Sequence, residues 1–147
     1  MIIREMRHRR TLRVLLALLL FASCSVPAAG QAPLAIRGFS IDPPIASPRG
    51  PARIRFEFEG AEGGLERVIL RASAAGGAWR TSVFEAAVNE AIARLGLVSS
   101  GVVETTARHQ HGYGRAQQGT QNAYELQVLD RAGRRSNVLV VELEVRL

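Results

Sequence analysis

The chain has 147 residues, 19 of them arginine and none lysine, 13 acidic residues, a formal net charge of +6 and a single cysteine, Cys24. That length holds one domain plus a processed segment; about two thirds of the unfolded surface can be buried, so no staple is needed, and a lone Cys excludes an internal disulfide. The placement of charge excludes a nucleic-acid surface: five arginines against Glu5 give the stretch before Cys24 a net +4, and the remaining fourteen arginines against twelve acids give +2, interleaved with acids as in Arg53, Arg55, Glu57 and Glu59.

Met1 to Arg13 is basic, Val14 to Phe21 is an unbroken apolar run too short to span a bilayer, and small residues follow. This pattern marks residues 1–23 as a signal peptide for export. Leu20-Phe21-Ala22-Ser23-Cys24 resembles a bacterial lipobox, with Phe21 where Leu is usual. The resemblance implies lipid attachment at Cys24, which becomes the acylated mature N-terminus. Acyl chains such as palmitate then anchor it at about 0.8 kcal/mol per buried CH₂. Ser25 after the Cys, rather than Asp, resembles lipoproteins sent to an outer membrane, which implies a cell-envelope location facing the periplasm. The rival is an ordinary secretory cut near Val26-Pro27-Ala28 or Ala28-Ala29-Gly30, giving a soluble secreted or periplasmic protein. A Cys directly after the apolar run favours lipidation.

Residues 24–33 are rich in Ala, Gly, Pro and Gln and read as a tether, leaving residues 34–147 as the domain. Leu34 to Asp42 is the first expected strand; Leu34 and Ile36 share one parity, Phe39 and Ile41 the other, and the slip at Gly38 predicts a bulge. Pro43, Pro44, Pro48 and Pro51 predict an irregular surface crossing. Ala52 to Glu59 alternates, with Ile54, Phe56 and Phe58 inward. After a Gly-rich turn, Leu65 to Ser73 is a third strand with Val68 and Leu70 inward.

The rhythm then changes. Ser82-Val83-Phe84-Glu85 has capping-box spacing, Gly96 stands where a helix ends, and Phe84, Ala87, Val88, Ala91, Ile92 and Leu95 share about 140° of a helical wheel. A helix is predicted over 83–95, with Glu90 and Arg94 as an i,i+4 pair. Its Ala-rich stripe is expected to pack on the sandwich; a membrane or partner groove is the alternative. Val102 to Arg108 resumes strand alternation, and His109 to Gln121 is expected to be a wet polar loop.

From Tyr124 to Leu147, two alternating runs flank Asp130-Arg131-Ala132-Gly133-Arg134-Arg135-Ser136-Asn137, which predicts an antiparallel hairpin. Leu139, Val141, Leu143, Val145 and Leu147 share one face. This segment resembles the last hairpin of bacterial immunoglobulin-like and fibronectin type III-like domains, in which a Tyr opening the penultimate strand forms a corner, as Tyr124 is placed to do. The resemblance implies a mainly β chain, an immunoglobulin-like antiparallel β-sandwich, here with one inserted helix and no Cys pair.

Chemistry-bearing residues are sparse. His109 and His111 lie two apart, so an extended backbone puts both imidazoles on one side, the geometry for two metal ligands; no third ligand is visible, since Glu104 or His8 would have to serve and His8 leaves with the leader, and the rival reading is a polar loop entrance. No Ser stands in a Gly-x-Ser-x-Gly elbow, Gly112-Tyr113-Gly114 opens no helix, and Glu57 and Glu59 lack the asymmetric surroundings of an acid and base pair. Trp79 offers either a stacking platform for a sugar ring or a lid on the core. The expectation is a non-enzymatic, lipid-anchored binding or structural module with a protein or glycan partner, without cofactor, metal, catalytic residues or nucleic acid. The alternative is a periplasmic metal-binding protein using His109 and His111.

Overall fold

The structure, a computed structural model, describes residues 30–47, 50–109 and 115–147; the leader, Cys24, His111 and Gly112-Tyr113-Gly114 lie outside it. Ala32–Leu147 forms one unit. Among the described residues the order is β1 (Ala35–Asp42), β2 (Ile45–Ala46), β3 (Pro51–Glu59), β4 (Leu65–Ala74), β5 (Arg80–Thr81), α1 (Glu85–Leu95), β6 (Gly101–Arg108), β7 (Gln121–Asp130) and β8 (Leu139–Val145), with a 3-10 turn at Arg115–Gln117. Two sheets result, β1-β3-β6 and β2-β8-β7-β4-β5. All pairings are antiparallel except β2 with β8. Among the described residues the fold is mainly β, a two-sheet sandwich with one α-helix.

Alternation explains why two sheets stack. Ile54, Phe56 and Phe58 of β3 and Val103 of β6 meet Val68, Leu70, Leu126, Val128 and Leu143 of the second sheet, each at most 4% exposed. Each such side chain contributes about 1.5–3 kcal/mol by leaving water. The predicted bulge is present: the β1–β3 register shifts between Arg37 and Ser40, and Gly38 has a φ of +63°. The extra residue restores parity, so Leu34, Ile36, Phe39 and Ile41 are all buried.

Several expectations are corrected. Ile45–Ala46 pairs with β8 inside the stretch expected to be irregular, because the crossing chain passes beside that strand's free backbone. The helix starts at Glu85, not Val83; Ser82 Oγ accepts the Phe84 amide at 3.2 Å, but the Glu85 carboxylate turns away, so no reciprocal capping box forms. Glu90 and Arg94 make no ion pair within 4 Å and stay in water. Leu147 is 54% exposed rather than inward, since β8 ends at Val145 and the Leu147 amide instead donates to Gln118 Oε1 at 2.8 Å.

The end of β7 is fixed by one carboxylate. Asp130, fully buried, accepts the Glu62 amide at 3.0 Å, the Arg134 amide at 2.9 Å and Arg134 Nε at 2.9 Å. Arg134 in turn donates to the carbonyls of Gly60 at 2.5 Å and Ala32 at 3.3 Å. The β7–β8 loop, the β3–β4 turn and the chain entering β1 are thus tied at one point. Burial alone pushes the Asp130 carboxyl up, but the amides of Glu62 and Arg134 and then the Arg134 guanidinium outweigh it and hold the group below its ordinary value.

Asp130→Ala is expected to lower the unfolding free energy by about 3 kcal/mol in a urea titration, since it strands a guanidinium and two amides. The sign with pH follows from the depressed value. Stabilisation by Asp130 is complete above the unfolded carboxyl pKa of about 3.9 and is lost as pH falls through the folded value. Wild type should therefore lose stability with acid more steeply than Asp130→Ala; parallel curves would assign the acid sensitivity elsewhere.

Candidate functional site

A sandwich can engage a partner through its sheet edges, its faces or its end loops, and the structure distinguishes these. An α-helix rises about 6 Å over four residues and a strand about 6.7 Å over two, so side chains at i and i+4 of a helix can meet alternate amides along a strand edge. α1 does this on β4. Glu85 Oε2 accepts the Leu70 amide at 2.9 Å and Asn89 Oδ1 accepts the Val68 amide at 2.8 Å. On the other sheet, the Asn137 side chain accepts the Ile36 amide at 2.8 Å and donates to the Ile36 carbonyl at 3.0 Å, as a neighbouring strand would. Both sites are therefore closed to strand addition.

The helix stripe is occupied too. Phe84, Val88 and Ile92 are at most 2% exposed, and α1 packs on β4 and β6. The groove or membrane alternative for this helix has no free apolar face to use.

Of the residues singled out by sequence, Cys24 and His111 lie outside the described residues. His109 is 4% exposed, its ring edge-on to Phe84 at 4.8 Å between centroids. This corrects the wet-loop expectation at that position, because the imidazole packs on the core. Phe84 also stacks on Tyr124 at 5.7 Å, so the three rings form one cluster at the start of β7. Glu104 is exposed, 3.9 Å from Arg55 Nε among the charged pairs of β3 and β6. Among the described residues no three His, Cys, Asp or Glu side chains converge to hold a metal ion.

Glu57 sits in that same charged face. Hydrogen bonds from Arg37 first and Arg55 second hold its carboxyl below the ordinary range, so it stays ionised as an ion-pair partner. Trp79 is 40% exposed and lies outside the core cluster, with the Arg71 guanidinium carbon 5.9 Å from its ring centre. Arg71 is held in turn by Glu125, through Nε at 3.0 Å and through Nη2. The ring lies against a fixed cation rather than over the core.

Two features escaped the sequence. One is the edge cover by Glu85, Asn89 and Asn137, which sequence spacing registers only as an abandoned capping box. The other is a cleft of about 480 Å³ between the end of β4, β5 and the start of β7. Its lining is short in side chain and scattered in sequence, so no periodicity marks it.

Comparison with protein families and with curated proteins found no match to the chain.

Glu85→Ala and Asn89→Ala are each expected to cost about 1 kcal/mol of stability by freeing one β4 amide. The double variant should also shift toward larger species in sedimentation velocity at matched concentration. A double variant that sediments like wild type would mean that the β4 edge is guarded by something other than these two side chains.

Proposed function

We propose that this chain is an exported lipoprotein, anchored through Cys24 in the cell envelope, whose immunoglobulin-like domain serves as a non-enzymatic binding or structural module. The observation that carries the fold part of this reading is the strand order. In an immunoglobulin-like domain the first, second and fifth strands share a sheet, and the third, sixth and seventh share the other. Here β1, β3 and β6 stand in the first set and β4, β7 and β8 in the second, with β5 added beside β4 as in the larger variants. α1 occupies the chain position of the missing fourth strand, which in such domains lies beside the fifth, and here the helix packs on β4 and β6 instead.

Fold alone selects no role, so the binding part rests on surface chemistry. In-register pairing sets Val140, Glu125 and Arg71 in one row across the outer face of the second sheet. Val138, Val140 and Trp79 on and beside that row are 46%, 53% and 40% exposed. An apolar group with a fixed ion pair at its centre, on a sheet whose edge is closed, suits a protein or glycan partner docking on the face.

The anchor is tested by Cys24→Ser, which should move the protein from membrane to soluble fractions of the cell. Retention in the membrane would overturn the lipid assignment while leaving the sandwich untouched. For the face, Val140→Arg is expected to remove crosslinked neighbours recovered from native membranes without lowering the melting temperature. An unchanged crosslinking pattern would point away from this surface.

A further inference from the structure

We infer that the cleft at the end of β4 is a binding site for a small organic carboxylate with an apolar body, held by Arg80. The inference stands apart from the anchor and from the outer face, since it uses neither.

The geometry begins with β5. Arg80 pairs in register with Ala72 and Thr81 with Arg71, so Arg80 shares the inward side of the sheet with Ala72 while Thr81 shares the outward side with Arg71. Arg80 is exposed at the mouth of the cleft, and no Asp or Glu lies within 4 Å of it among the described residues. Among the described residues lining the cleft it is the one charged side chain, and it is positive.

The rest of the lining divides in two. Ala72, Val83 and the ring of Tyr124 give an apolar wall, and Tyr124 is itself fixed by stacking on Phe84. Ser73, Ser82 and Asn122 give a polar floor, each at most 6% exposed. The seryl groups are already oriented: Ser73 Oγ donates to the Gly77 carbonyl at 2.6 Å and Ser82 Oγ accepts the Phe84 amide at 3.2 Å. About 480 Å³ lies within the usual range for small-molecule sites, which are mostly apolar with a few placed polar groups. A guanidinium at the mouth recognises a carboxylate by paired charge-assisted hydrogen bonds, and the apolar wall takes what the carboxylate carries.

An inward charge on a short edge strand also deters strand addition, and that role needs no ligand. The experiment separates the two. Tyr124 and Ser82 line the cleft, so their backbone amide shifts in NMR spectra of the full-length protein read its occupancy. Hexanoate is expected to move these resonances saturably, with a dissociation constant of about 1 mM or below, and the uncharged hexanamide to bind about tenfold more weakly. Arg80→Gln should weaken hexanoate by about tenfold, Arg80→Lys by less, since it keeps the charge but loses the paired hydrogen bonds, and Arg131→Gln, just past the far end of β7, should leave it unchanged. Arg80 is exposed, so equal melting temperatures will show that the variants are folded. Hexanamide binding as tightly as hexanoate, wild-type affinity in Arg80→Gln, or no saturable shift at all would each overturn the site and leave Arg80 as an edge guard.

Discussion

The covering of sheet edges by side chains is the constraint on which this fold rests. β5 pairs with β4 only at Arg71 and Ala72, so the rest of that β4 edge would carry unpaired amides, and each unpaired amide shielded from water is destabilising by about 1–3 kcal/mol. Glu85 and Asn89, one helical turn apart, supply acceptors at the spacing the strand requires. Asn137 does the same for Ile36 on the opposite sheet, offering donor and acceptor together. Because these contacts join elements far apart in sequence, they also set how the helix and the last loop sit against the two layers. Asp130 and Arg134 complete the closure at the end of β7, where three connections converge on one carboxylate.

Most of the layered architecture was legible in residue rhythm. Ile54, Phe56 and Phe58 alternate with charges and are buried; Val68 and Leu70 likewise; and the parity slip at Gly38 marks a bulge that the register confirms. The errors have a common cause: local signals were overruled by partners distant in sequence. Ser82-x-x-Glu85 has the spacing of a capping box, yet the Leu70 amide takes the Glu85 carboxylate, since an amide on a packed strand edge depends on a partner more than a helix end open to water does. β2 and β5 are two-residue pairings created by proximity to β8 and β4, which no alternation in two residues can announce. His109 reads as polar in a polar stretch, but its ring finds the face cluster of Phe84 and Tyr124.

Function was less legible than fold, and for a physical reason. The export and anchoring part of the proposal rests on a short contiguous stretch, Val14 to Cys24, which lies outside the described residues. A cleft made of Ala72, Arg80, Ser82 and Tyr124 draws on three strands and a turn, and its one charged member gains meaning only from the absence of acids around it. The outer face is similar: Val140, Glu125 and Arg71 become a row only through register. A face suited to a macromolecular partner and a cleft suited to a small anion can coexist because they lie on opposite sides of the same sheet.

Amide hydrogen exchange at Val68, Leu70 and Ile36, resolved by NMR, bears most directly on the edge cover. If side chains stand in for strands, these three amides exchange as slowly as those paired between β4 and β7. Exchange at the rate of open, solvent-facing strand edges would contradict it, and would mean that α1 and the β7–β8 loop rest against the sandwich without closing it.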